Sequence, residues 1–252
     1  MTPETEAKKI IEGLHEHLGL EDFSRHQAVF MTGEAAVEWM DEKKYPSVNQ
    51  HEWIGFYLKH LVQDICKTQY PGEFEEVIQG TFYQVKGKYL WDTRFYDEDK
   101  DPYVPLNDVK ILNKRLDKYG GFGLLLAEVG VEKDDGTFAK WRTAFKGGPS
   151  KYELKRRIEG VKPKPLKSAF AINYVFAYYF TKEQFLQGLE EGWVTNDTFQ
   201  ANWRNSDDDL RNSKYLLLLG GVPKECRLFI RNFNHDQDDF KFEYGNVDIG
   251  EF

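Results

Sequence analysis

A short apolar run, Phe122-Gly123-Leu124-Leu125-Leu126-Ala127, leads directly into a carboxylate, Glu128. A run of this length and composition predicts a buried strand over Phe122–Glu132, with the acid carried on it. An Asp134-Asp135-Gly136 turn follows, and then the most basic stretch of the chain. Lys140, Arg142, Lys146, Lys151, Lys155, Arg156, Arg157, Lys162, Lys164 and Lys167 face only Glu153 and Glu159, a local excess of eight positive charges. The net charge is −8, so the remainder of the chain is acidic by sixteen. A buried strand bearing an acid beside a cationic face suits a metal-dependent enzyme acting on a phosphate polymer. It equally describes a core strand next to a solvated helix.

Composition narrows the classes. With 252 residues, 40% of them hydrophobic and 15% aromatic, the chain can bury a sizeable core and is not of disordered type. No apolar run approaches the roughly 18 residues that a membrane-spanning helix needs. The opening residues, Met1-Thr2-Pro3-Glu4-Thr5-Glu6, are polar and acidic, unlike a signal peptide. Cys66 and Cys226 stand far apart, and the six histidines show no strong metal-ligand spacing. A cytoplasmic, reducing compartment is the expectation. The negative net charge counts against indiscriminate nucleic-acid binding but leaves room for a local basic cleft.

Along the chain, Ile10, Ile11, Leu14 and Leu18 recur at helical spacing before Gly19. Further helices are expected over Gly33–Glu42, from a Ser47 cap to about Lys67, from Thr137 to Gly147, from a Ser150 cap to Gly160, and from Thr181 to Gly192. A β-hairpin is expected with arms over Val77–Val85 and Lys88–Tyr96, its bend at Gly87. Pro105–Gly121 fits a helix capped by Asn107 better than a strand through Asp108-Val109-Lys110. Leu166–Phe180 fits either helix or strand, and Tyr215–Leu219 a short buried strand. These elements predict an α+β fold, a single domain with a central mixed β-sheet flanked by helices. Residues 1–70 form its helical part, 75–160 a catalytic core and 161–252 a recognition part.

Asp92 and Glu128 each lie among apolar neighbours on an expected core strand. A carboxylate there is costly unless partnered. Converging, the two can share a Mg²⁺ ion that binds phosphate oxygens. Standing at strand ends in water, they need no ion. Side chains more than about 10 Å apart cannot ligate one ion, since ligand oxygens lie near 2.1 Å.

This order of a core helix, a hairpin with an Asp, a carboxylate-bearing strand and basic helices resembles the PD-(D/E)xK nucleases, type II restriction endonucleases among them. The resemblance spans roughly residues 48–160. It implies an Asp, a second acid, and a Lys two residues beyond that acid. Asp92 takes the first place, with either Asp108-Val109-Lys110 or Glu128 supplying the second acid. In the second case Gly130 stands where the Lys belongs. The implied activity is Mg²⁺-dependent, sequence-specific hydrolysis of double-stranded DNA, with a homodimer expected on a palindromic site. Lys140, Lys146, Lys151, Arg156 and Arg157 would contact phosphates. Gln200, Arg204 and Asn205, in a polar segment around Trp203, would read bases. The alternative is a non-catalytic interaction module of phage or host-defence type, docking through its acidic surface.

Overall fold

The computed structural model describes residues 1–19, 29–79, 82–97, 103–160, 165–196, 212–233, 243–244 and 247–248. In chain order these form α1 (Pro3–Gly19), β1 (Val29–Thr32), α2 (Gly33–Glu42), α3 (Trp53–Gln69), β2 (Glu75–Gln79), β3 (Phe82–Lys86), β4 (Leu90–Asp97) and β5 (Tyr103–Asp108). Then come α4 (Val109–Tyr119), β6 (Gly121–Lys133), α5 (Thr137–Phe145), α6 (Lys151–Ile158), β7 (Lys167–Thr181), α7 (Lys182–Glu191), β8 (Val194–Thr195), β9 (Lys214–Leu218) and β10 (Arg227–Asn232). A small ladder, β11 (Glu243–Tyr244) with β12 (Val247–Asp248), follows.

The main sheet runs β1-β7-β6-β4-β3-β2, with β10 also on β7. Its β4 and β6 are parallel, joined through β5 and α4, and the other pairs are antiparallel. The fold is therefore α+β with a mixed sheet flanked by helices, as the sequence predicts. Period-two alternation divides the sheet into two faces. Leu125, Ala127 and Val129 of β6 pack with Trp91 in a core that also contains the apolar faces of α1, α2 and α3 and Phe138 of α5. Phe122, Leu124 and Leu126 face the other way, into a core shared with α4, α7 and the small sheet β5-β9-β8. Strand β7 is flanked along one side by β6, while β1 pairs with residues 169–172 and β10 with residues 174–178.

Local signals place many ends. Ser150 with Glu153 and Thr181 with Gln184 form capping boxes. Gly120 closes α4 at φ 71°, a conformation costly for a residue with a Cβ. Other expectations are corrected. The hairpin is a three-stranded meander, because Val77–Val85 divides into β2 and β3, which pair with each other. Helix α3 starts at Trp53, and Ser47 lies outside it, bonded to His60 instead. Asp108, not Asn107, caps α4, and the part of Pro105–Gly121 before Val109 belongs to strand β5.

Buried polar groups lock the helices to the sheet. The Glu6 carboxylate accepts from Lys88 N (2.9 Å), Tyr89 N (3.1 Å) and Trp91 Nε1 (2.8 Å). Inside α3, His60 Nδ1 donates to Gln63 Oε1 at 3.2 Å, so Nε2 accepts from the Ser47 hydroxyl, and Tyr45 stacks on the ring. Burial holds the His60 pKa down at about 4, against a weaker upward pull from the Gln63 bond.

Two outcomes follow. Glu6→Ala strands three donors and costs roughly 3 kcal/mol, a fall in Tm of about 8 °C in calorimetry. For His60, the unfolded chain takes up a proton near pH 6.5 and the folded protein only near pH 4. The unfolded state thus binds more protons in that window, and stability falls as pH drops through it, by up to roughly 3 kcal/mol. Urea unfolding from pH 7 to pH 4 measures the loss, and His60→Gln flattens the curve.

Candidate functional site

Asp92 is in register with Leu124 of β6 and only 2% exposed. It shares a face with Arg94, two residues on. Arg94 Nε donates to Asp92 Oδ2 at 2.8 Å, and its NH2 donates to Asn107 Oδ1 on β5. The other Asp92 oxygen, Oδ1, is buried with no hydrogen-bond partner. Across the antiparallel pair, Gln84 of β3 lies opposite Asp92, and both atoms of its buried amide also lack partners.

Two helices each bring a buried cationic residue into electrostatic range of Asp92. Arg115, on the buried side of α4 beside Leu112 and Leu116, is 4% exposed, and neither of its terminal nitrogens has a partner. Lys59, on α3, is 7% exposed. The β3–β4 pairs end at Gln84 and Asp92, so β4 beyond Asp92 has no β3 partner among the described residues. Burial is the main force that drives the Lys59 pKa down to about 7. The positive charges of Arg94, Lys214 and Arg115 add to the fall, and Asp92 opposes it. Arg115 is likewise held below its usual value, chiefly by burial, with Asp92 opposing. The group is thus cationic and dry, with Asp92 as the carboxylate acting on both Lys59 and Arg115.

The candidates foreseen in the sequence separate. Glu128 is in register with Tyr96, four residues beyond Asp92 along the paired strands. That offset is roughly 13 Å at 3.3 Å per residue, too far to share an ion. Glu128 lies opposite Tyr174 of β7, and its charge adds to the burial that pushes up the phenols of Tyr174 and Tyr178. Asp108-Val109-Lys110 is not a strand motif: Asp108 Oδ1 accepts from the backbone of Lys110 (2.9 Å) and Ile111 (3.3 Å), and Lys110 is exposed in the first turn of α4.

The cationic stretch does not converge on Asp92 either. Helix α5 packs on the first core through Phe138 against Trp53, the opposite face from Asp92. There Lys140 is exposed, and burial beside Arg142 lowers the pKa of Lys146. Lys151, Arg156 and Arg157 lie on α6, where Arg157 is exposed. Gln200, Arg204 and Asn205 fall outside the described residues.

The donors at Asp92 do not fit Mg²⁺. Asp92 Oδ1 and Gln84 Oε1 are oxygen donors, but Arg94 is bonded to Asp92 and the charges of Lys59 and Arg115 lie within its electrostatic range, which favours an anion. Among the described residues no group of three or more His, Cys, Asp or Glu side chains is placed to hold a metal ion. Nor is any helix among them long and apolar enough to cross a membrane. Comparison with protein families, characterised proteins and solved structures gives no match.

Lys59 and Arg115 had one signal in sequence. Lys59-His60 interrupts Tyr57-Leu58 and Leu61-Val62 on a helix buried nearly all round, and Arg115 adjoins Leu112 and Leu116 at core spacing. Lys59 gives a pH signature. Between about pH 7 and 10.5 the unfolded chain holds the Lys59 proton and the folded protein has released it. Stability from this group therefore rises with pH across that window. Lys59→Met is expected to stabilise at pH 6, by an amount on the order of 4 kcal/mol. The advantage fades toward pH 10, and chemical denaturation of both proteins at the two pH values checks it.

Proposed function

We propose that the protein is a double-stranded DNA endonuclease of the PD-(D/E)xK kind, with its centre at Asp92-Thr93-Arg94 and Lys59. The observation that supports this reading is an acid-x-basic string on β4, its carboxylate buried and half unpartnered. Core helix α3, the strands β3 and β4 that lead to Asp92, the Glu128-bearing strand β6 and helices α5 and α6 follow in the order on which the resemblance rests. In this reading Asp92 Oδ1 orients a water whose oxygen forms the new bond to phosphorus, and Lys59, in its neutral form, takes the water's proton. The phosphorus–oxygen bond to the leaving sugar oxygen breaks, and that oxygen gains a proton from solvent. Arg94 and Arg115 offset the charge gathering on the phosphoryl oxygens. Gln200, Arg204 and Asn205 read bases, and a homodimer meets a palindromic site.

Gln84 favours a second reading. An amide faces Asp92 where a second acid would serve catalysis, which suits a non-catalytic interaction module. Incubation with mixed plasmid DNA, in Mg²⁺ and in EDTA, separates the two. The endonuclease reading expects discrete fragments from the wild type and at least roughly a hundredfold slower cutting by Asp92→Ala. A wild type that cuts none of a varied DNA set leaves the second reading standing.

A further inference from the structure

The unpartnered atoms around Asp92 define a ligand class. Buried polar groups are nearly always hydrogen-bonded, to protein or to bound water. Here Asp92 Oδ1, the Gln84 amide and both terminal nitrogens of Arg115 lack partners together, among neighbours that act electrostatically on one another. The Lys59 amine also has no hydrogen bond or ion pair within the described residues, its recorded contact being 5.9 Å from the Phe56 ring. The Arg94–Asp92 pair balances itself, which leaves the Arg115 guanidinium buried with both terminal nitrogens unpaired and Lys59 beside it without an ion pair. An unpaired buried guanidinium is costly, and an anion bound against it relieves the cost.

We infer that Lys59, Gln84, Asp92, Arg94 and Arg115 form a binding site for a phosphate monoester or free hydrogen phosphate. Arg115 presents two parallel donors that match two phosphate oxygens, and Lys59 presents a third. The Gln84 amide donates to another oxygen, and Asp92 Oδ1 accepts from a protonated one. That acceptor distinguishes hydrogen phosphate from sulfate, which carries no proton near neutral pH. The burial of Asp92 and Arg115 suits a small anion such as a terminal phosphate. The inference rests on the centre proposed above for its location, though not on catalysis there.

Thermal unfolding without DNA tests it, with 50 mM inorganic phosphate against sulfate and against chloride at equal ionic strength. For a site of millimolar affinity the expected rise in Tm with phosphate is about 4 °C. Sulfate gives less, and chloride none. Arg115→Met is expected to abolish the rise while leaving the ligand-free protein as stable or more so, since it removes an unpaired buried charge. Lys59→Met weakens the rise, and Lys114→Met, at an exposed lysine of the same helix, retains it. A phosphate effect no larger than that of chloride, or one kept by both Arg115→Met and Lys59→Met, overturns the site. If Arg115→Met fails to fold, Lys59→Met alone decides, and an undiminished rise overturns it. A 5′-phosphorylated oligonucleotide binding tighter than its hydroxyl-ended twin assigns the site to nucleic-acid ends. Equal binding, with the inorganic phosphate effect present, assigns it to free phosphate. DNA that stays uncut leaves this result untouched, and cutting without a phosphate effect overturns the site alone.

Discussion

The long antiparallel pairing of β6 with β7 is the constraint around which the remaining structure is arranged. Residues 121–129 of β6 are buried without interruption, so both faces of the sheet must be covered. One face receives α1, α2, α3 and α5, and the other receives α4, α7 and a second, smaller sheet. Close approach between neighbours goes with this burial. A Cβ at Gly123 would overlap the Trp91 ring on adjacent β4, so glycine lets the largest side chain of that strand lie flat across β6.

The same double burial makes charge on β4 consequential. Asp92 points into the layer between the sheet and α4, where water cannot solvate it, and Arg94 beside it supplies the counter-charge. The surplus cations then come from elements distant in sequence. Lys59 arrives from the helix on one face and Arg115 from the helix on the other. A seam between two packed layers is where such convergence is possible, because a single layer offers only its own strand neighbours. What makes the cluster chemically specific is its imbalance of charge.

Much of the fold is legible in the sequence because its determinants are local. The apolar run before Glu128, the capping pairs Ser150–Glu153 and Thr181–Gln184, and the glycines after α4 and α7 act within a turn or two of chain. The site is less legible for the opposite reason. Asp92 is recognisable as a buried acid, and Arg94 lies on its face by simple alternation. Pairing Asp92 with Glu128 requires the register of a parallel pair, which is set by the crossover through β5 and α4 and leaves no local trace. Asp108 reads as part of an acid-x-Lys string, yet its carboxylate is occupied by the first turn of α4. Ser47 looks like a helix cap, but the buried imidazole of His60 takes its hydroxyl.

The shared outer edge of β7 carries a consequence for how the chain assembles. Residues 29–32 and 227–232, separated by nearly the whole sequence, lie end to end against one strand. Contacts this distant along the chain are slow to form, so β7 must wait for partners that precede and follow it in the chain. Until they dock, its backbone donors and acceptors are open to any other extended segment, including the same strand of another molecule. A nascent chain has β1 available before β7 is made but acquires β10 only after α7, β8 and β9 have followed. The hazard of misassembly is therefore concentrated on residues 174–178.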